Sequence, residues 1–250
     1  MKEEELCKKR LHDLSMQSYH KEIVLFSDFL NLNERNIYES NKHTFSTKSE
    51  SFGGYELAER QMVAFIPDAL CYEWTYPIVC LKISPKYPKF AEKLQHRDVL
   101  GALMHLGIER CTMGDLFQQD NAFYLFVQDH LCSFIQENLL KVRNTCVTVE
   151  EVEDTSELSS HITYETVHDV IASNRLDCII AKAYHFSRSQ ASEQFLQEKV
   201  FVNGKSVTDC NYHCKDGDLI SVRQKGRFRL RSDFSENKKG KLRVSFDFFA

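Results

Sequence analysis

Arg223, Lys225, Arg227, Arg229 and Arg231 stand at every second position, and Lys241 and Arg243 repeat the spacing after a turn containing Lys238-Lys-Gly240. Alternate side chains of an extended strand share a face. A hairpin of 227–231 with 241–246 therefore gathers cations on one side and Phe228, Leu230, Leu242, Val244 and Phe246 on the other. Guanidinium groups are planar forks of donors that match phosphate oxygens. The implied chemistry is capture of a phosphate backbone. The bland alternative is a strand edge protected by charge. A few lysines suffice for that, so the longer basic series favours a polyanionic partner.

A second basic group, Arg175, Lys182, Arg188, Lys199 and Lys205, lies just upstream. The elements that position it read clearly. A short helix opens at Arg175, with Leu176, Ile179, Ile180 and Ala183 on one face. Ser187-Arg-Ser-Gln190 has capping-box spacing, and Phe186 before it can staple the next helix, expected over 189–197. Arg188 in that first turn adds its charge to the positive end of the helix dipole. Asn203-Gly204 between β-forming runs is a strong hairpin signal, and Asp216-Gly217-Asp218 marks another turn before a strand at 219–223.

Charge divides along the chain. Residues 1–171 carry 17 Lys+Arg against 27 Asp+Glu, a net of −10, whereas residues 172–250 carry 15 against 9, a net of +6. The overall −4 and the pI near 6.2 average over this asymmetry. It suggests a basic binding module on an acidic carrier.

Three segments follow from the patterns, in an α+β chain. Residues 1–75 read as a mainly helical, α/β N-terminal domain, with a capping box at Asn31-Leu-Asn-Glu34 and a helix start after Gly53-Gly54, where Glu56 and Glu59 suit the dipole. Gly-Gly before a helix could cradle a phosphate, but the Lys and Ser/Thr of a nucleotide loop are missing. Residues 76–160 alternate β (76–83), α (96–106), β (114–118), β (122–128), α (129–139), β (146–152), with Asp120-Asn121 as a tight turn. This βαββαβ order predicts a ferredoxin-like, RRM-like domain. Ala122-Phe-Tyr-Leu-Phe-Val127 supplies aromatics where RRM strands stack bases, without the basic residue and glycine that open that pattern. Glu150, Glu151, Glu153, Asp154 and Glu157 run into Ser159-Ser160, a solvated edge or linker before a basic module at 172–250.

No catalytic constellation is visible. His96-Arg-Asp98 has Leu103 where a kinase loop needs asparagine. Cys210, His213 and Cys214 lack an obvious fourth ligand and zinc spacing. No cofactor or metal is expected. Nine scattered cysteines without a C-x-x-C pair suit a reducing compartment. The absence of an N-terminal apolar region, or of ~18 uninterrupted apolar residues, predicts a cytoplasmic protein with no membrane insertion.

R-L-D at 175–177, S-R-S-Q-A at 187–191 and V-x-V-N-G-K at 200–205 resemble the S4-type RNA-binding domain over some sixty residues. The resemblance implies that Arg175, Lys182, Arg188, Ser189, Gln190, Lys199, Asn203 and Lys205 contact structured RNA, through backbone shape more than base identity. Glu198 replaces the glycine that usually ends the second helix, so a rearranged helix stop is expected there. Asp177 reads as a dipole or arginine partner. Enzymes with S4-type domains need a synthetase domain or a following catalytic domain. Neither is seen within these 250 residues, so no enzymatic activity is expected.

Further motifs, Gly53-Gly-Tyr-Glu-Leu-Ala-Glu-Arg60, His96-Arg-Asp-Val-Leu-Gly-Ala-Leu-Met104, Leu106-Gly107, Gly114-Asp115 and the terminal R-F-R-L…K-K-G-K-x-R-V, resemble the YlmH family of Gram-positive bacteria. That resemblance implies binding of large-subunit ribosomal RNA together with peptidyl-tRNA during rescue of stalled translation. Its link to division genes leaves open an adaptor that binds division-machinery proteins through the acidic half. An RNA-modifying enzyme with a site in residues 1–160 is the remaining alternative.

Overall fold

The computed structural model describes residues 2–55, 58–155, 158, 164–232, 234–235 and 240–249. The chain divides into two compact units, Met1–His161 and Ile162–Ala250. Their element content is α+β, as expected.

The first unit opens with α1 (Lys2–Lys21) and α2 (Leu32–Asn41), separated by a two-residue strand β1 (Leu25–Phe26). The capping box forms as read: the Glu34 amide donates to Asn31 Oδ1 at 3.0 Å, and the Asn31 amide to Glu34 Oε2 at 2.8 Å. Two strands absent from the sequence-based expectation follow, β2 (Lys48–Phe52) and β3 (Met62–Ile66), giving a sheet of order β1-β3-β2. Met62–Phe65 are all buried; a short apolar run of that kind has no period to separate strand from helix. Cys7, Leu11, Leu30, Tyr38, Val63 and Phe65 form the core between the helices and one face of this sheet.

Residues 78–152 supply β4 (Ile78–Pro85), α3 (His96–His105), β5 (Met113–Gln119), β6 (Ala122–Gln128), α4 (Cys132–Asn138), β7 (Lys141–Val142) and β8 (Thr145–Val152). The sheet runs β5-β6-β4-β8-β7, with each neighbouring pair antiparallel, the ferredoxin-like arrangement read from the sequence. Asp120 and Asn121 take φ of 48° and 64°, both positive as a type I′ turn requires. Phe123, Leu125 and Val127 pack with Val99, Leu103 and Ile135 on the helix side. Asp98 caps its own helix by accepting from the Gln95 amide at 2.9 Å, a structural use for the His96-Arg-Asp98 run.

The opposite face, where an RRM stacks bases, is partly covered by its own chain. Tyr55 lies on Phe126 with centroids 5.0 Å apart and planes at 26°, and Leu158 joins the same cluster. Described residues between Tyr55 and Arg60 are not helical, contrary to expectation; Glu56 lies outside the described residues, as do Glu157, Ser159 and Ser160 of the expected linker. The tertiary reason is Asp115. It accepts from Tyr55 Oη (2.7 Å) and from the amides of Glu59 (2.7 Å) and Arg60 (3.1 Å), giving those N–H groups a partner that no helix provides. Arg60 in turn donates to the carbonyls of Met113, Phe29 and Arg110 at 2.9–3.1 Å.

The second unit begins with β9 (Tyr164–Ile171), ahead of the boundary expected at 172. It continues through α5 (Leu176–Ala183), α6 (Arg188–Leu196), β10 (Val200–Val202), β11 (Lys205–Ser206), β12 (Leu219–Val222), β13 (Gly226–Arg231) and β14 (Leu242–Phe249). One six-stranded antiparallel sheet results, ordered β11-β10-β12-β13-β14-β9. Its core joins Leu176, Ile179, Ile180, Ala191 and Phe195 of the helices to Val200, Ile220, Val222, Phe228, Leu230, Val244 and Phe246 of the sheet. No helix among the described residues is long and apolar enough to cross a membrane.

Candidate nucleic-acid interface

The helix pair is positioned by local chemistry. Ser187 caps α6 reciprocally with Gln190: the Ser187 amide reaches Gln190 Oε1 at 2.9 Å and the Gln190 amide reaches Ser187 Oγ at 3.3 Å. Gln190 therefore holds the helix start, and Ser189 Oγ lies 3.0 Å from Ser187 Oγ. Arg188 between them is exposed. Arg175 closes a fork on Asp177, with Nε and an Nη at 3.0 and 2.6 Å from its two carboxylate oxygens. Burial pushes the Asp177 carboxyl up, but the Arg175 hydrogen bonds and the Cys178 amide outweigh it and hold it below its ordinary value. Lys182 pairs with Asp169 of β9 at 3.1 Å.

The expected rearrangement at Glu198 does not occur. Glu198 itself takes φ of 51°, its amide donates to Phe195 O at 3.0 Å, and the Lys199 amide donates to Gln194 O at 3.0 Å. These are the two bonds of a Schellman stop, made with an L-residue in the left-handed region, where a Cβ costs about 1–2 kcal/mol.

Beside this stop the basic side chains meet aromatic rings. Arg223 donates its amide to Lys199 O at 3.0 Å and carries its guanidinium over Phe201 at 5.4 Å. The Lys225 ammonium stands 5.8 Å from the Phe186 ring centroid. Arg223 and Lys225 lie in the turn between β12 and β13, around Gln224 at φ 67°, and not on the strand that the alternation suggests. Asn203 begins the β10–β11 turn with φ of 50°; its side chain accepts from the Leu219 amide (2.9 Å) and donates to Asp218 (2.8 Å), so the amide is engaged within the fold. Lys205 is exposed on β11.

Strand register divides the remaining cations from the helices. Phe228 faces Phe248 and Leu230 faces Phe246 across β13 and β14, with Phe228, Leu230, Val244 and Phe246 buried on the helix side. Pleat alternation then puts Arg227, Arg229, Arg231 and Arg243 on the other side. There Arg229 opposes Asp247 and Arg231 opposes Ser245, while β9 adds Thr166 opposite Asp247 and His168 opposite Ser245. Asp247 accepts from Arg231 Nε at 3.4 Å and from Thr166 Oγ1 at 2.7 Å. A shallow groove lined by Arg231, Arg243, His168, Ser232, Ser235 and Ser245 runs along this face. The sequence-predicted set therefore splits. Arg175, Lys182, Arg188 and Ser189 belong to the helix side, Lys199, Arg223 and Lys225 to the end of the sheet at the β12–β13 turn, and the strand arginines to the open sheet face. Lys241 precedes β14, and Lys238 and Lys239 lie outside the described residues.

His168, Phe186 and Phe201 stand beside the predicted cations, and sequence reasoning misses them. Strand β9 mixes polar and apolar residues without a two-residue period and sits at a sheet edge, and only its pairing with β14 reveals His168's neighbours. Cys210, His213 and Cys214 do not assemble. His213 meets Asn174 at 2.6 Å, Cys214 is buried with its thiol pushed up to about 12, and no group of three metal-ligating side chains occurs among the described residues.

This geometry, a capped helix pair laid on a basic antiparallel sheet, is that of an S4-domain RNA-binding protein, and the S4 domain family model matches residues 174–220. A second model, described as "Putative RNA-binding domain in YlmH", matches residues 73–156. The chain is 29% identical over 223 residues to ribosome-associated protein quality control protein P2 of Bacillus subtilis, covering 88% of this chain and 86% of that protein. It is 44% identical over 55 residues to small ribosomal subunit protein uS4 of a Caulobacter species, 22% of this chain and 27% of that one. The solved structure of cell division protein ylmH from Streptococcus pneumoniae matches in fold, with TM-score 0.54 and 18% identity over 63% of this chain and 95% of that chain. The chain is thus similar to the YlmH family of S4-domain proteins, with a match to its RNA-binding domain and to the S4 domain.

Proposed function

We propose that the protein binds structured RNA of the large ribosomal subunit together with peptidyl-tRNA, without catalysis, in rescue of stalled translation. The observation that carries this reading is the arginine-lined sheet and capped helix pair of the second unit, which offer donors to phosphate oxygens on both sides of one sheet. The quality-control relative, similar along most of its length, supports the ribosomal setting. Phosphate-dominated binding of this kind falls steeply with salt. The test is co-sedimentation with large subunits, with and without peptidyl-tRNA, across a salt series. Salt-sensitive binding that is strengthened by peptidyl-tRNA is the expected result. Equal sedimentation at all salt concentrations, or with small subunits alone, contradicts it.

A further inference from the structure

The first unit carries an aromatic pocket that RNA binding by the second does not use. On β2, alternation puts Glu50 on the same face as Phe52, and both are exposed. Residues 74–76 lie against that face, so that four rings meet: Phe52 with Tyr76 (5.4 Å), Phe26 with Tyr76 (5.7 Å), Phe26 with Trp74 (5.8 Å) and Trp74 with Tyr76 (5.2 Å, edge on). Beside them opens a pocket of about 430 Å³, walled by Phe52, Tyr76, Ile78 and Phe126 and closed by Glu153 and Thr155. Among the described residues, no lysine or arginine lines it. The Tyr76 hydroxyl oxygen is buried and, among the described residues, has no hydrogen-bond partner. Burial first, and then the nearby Glu50 carboxylate, push its ionisation above the ordinary tyrosine range, so it stays neutral and able to accept.

Each feature selects the same ligand. Ring faces attract a flat cation, an orphaned phenol oxygen seeks a donor, and Glu50 and Glu153 repel phosphate while drawing positive charge. Residues 1–161 carry 17 Lys+Arg against 25 Asp+Glu, a net of −8 that steers a basic partner. We propose that this pocket receives an arginine side chain from a basic segment of a partner protein. The guanidinium lies against Phe52 and Tyr76 and faces Glu50 and Glu153, and a small turn of the Tyr76 ring opens its enclosed Oη to one of the guanidinium N–H groups. The site belongs to protein recognition and is separate from the basic surface of the second unit.

Trp74 is the chain's single tryptophan and sits in the ring cluster, so its emission reports occupancy directly. The full-length protein is titrated with an alternating arginine–glycine octapeptide, with its glutamate–glycine counterpart and with oligouridine of eight nucleotides. A saturable Trp74 change with the arginine peptide alone is expected. Glu50→Gln with Glu153→Gln weakens binding about tenfold or more, and Tyr76→Phe weakens it roughly threefold to tenfold. Matching melting curves for these variants show that the fold is retained. The proposal fails if the arginine peptide leaves Trp74 unchanged, if the double glutamine variant binds as tightly, or if oligouridine gives the change, which assigns the pocket to nucleic acid. None of these outcomes bears on ribosome co-sedimentation, so the two proposals fail separately.

Discussion

The sheet of residues 78–152 and the sheet of the second unit share a plan: antiparallel strands with helices against one face. They differ in what the chain does with the other face. In the first, Phe126 and Phe117 form an aromatic surface; Tyr55 stacks on Phe126 at 5.0 Å between centroids, much as a base stacks on an RRM strand, and meets Phe117 edge-on at 5.7 Å. In the second, the same side carries Arg227, Arg229, Arg231 and Arg243. Topology thus does not decide the chemistry of the face that the helices leave free. The covered face has its stacking position filled from within, whereas the arginine face has donors for phosphate beside an acidic residue, Asp247, that accepts from Arg231 and Thr166.

Disrupting the cover has the largest expected effect. Gly54 has φ of +97°, and a Cβ there would fall 2.1 Å from Phe126 Cδ1. Gly54→Ala combines a steric clash with backbone strain and should cost about 3 kcal/mol or more, read as a fall in the denaturant midpoint at unchanged m-value. Tyr55→Ala removes a buried ring and the hydroxyl bonded to Asp115, for about 3 kcal/mol. It also sets the two sheets against each other directly, because it uncovers Phe126. RNA affinity measured at a temperature where the variant stays folded should not rise. Lys82 stands beside Glu150 on this sheet, and among the described residues of β4, β5, β6 and β8 no further cation is present to hold phosphates. A gain in affinity would mean that Tyr55 masks a working RNA platform. Smaller still, Glu198→Gly relieves the left-handed L-residue and should stabilise the second unit by about 1 kcal/mol, measured as a raised thermal midpoint.

Acid offers a test of the helix pair. Asp177 is held below its ordinary value in the folded state, so its contribution is present above the unfolded carboxylate pKa and is lost as pH falls through the folded one. Asp177→Asn should flatten the acid limb of a stability–pH curve, while leaving stability near neutrality reduced and nearly constant.

What was legible in the sequence was what depends on neighbours a few residues away. The capping boxes at Asn31 and Ser187 and the turns at Asp120-Asn121 and Asn203-Gly204 formed where their residue types required. The alternation of Phe228 and Leu230 with arginines gave the hairpin's two faces correctly. Long-range determinants were not legible. The segment 55–60 has helical-looking residues, but Asp115, some sixty positions on, takes its amides. Strand β9 looks polar until β14 pairs with all of it. Glu198 could be seen to depart from glycine, yet only the structure shows that the stop survives with the strain carried locally. The site was legible as a set of cations and not as a surface, because the division of those cations between helix side and sheet face depends on register.

If arginines of the open sheet face and cations of the helix side both hold phosphate, the salt dependence of RNA binding must report each of them. The proteins to compare are wild type, Arg227→Ala/Arg229→Ala/Arg231→Ala and Arg188→Ala/Lys182→Ala. Each set should flatten the slope of log K against log salt, by roughly 0.7–0.9 for every phosphate that is no longer neutralised, and the two reductions should add. A sheet-face variant with the wild-type slope would contradict phosphate binding by the open face.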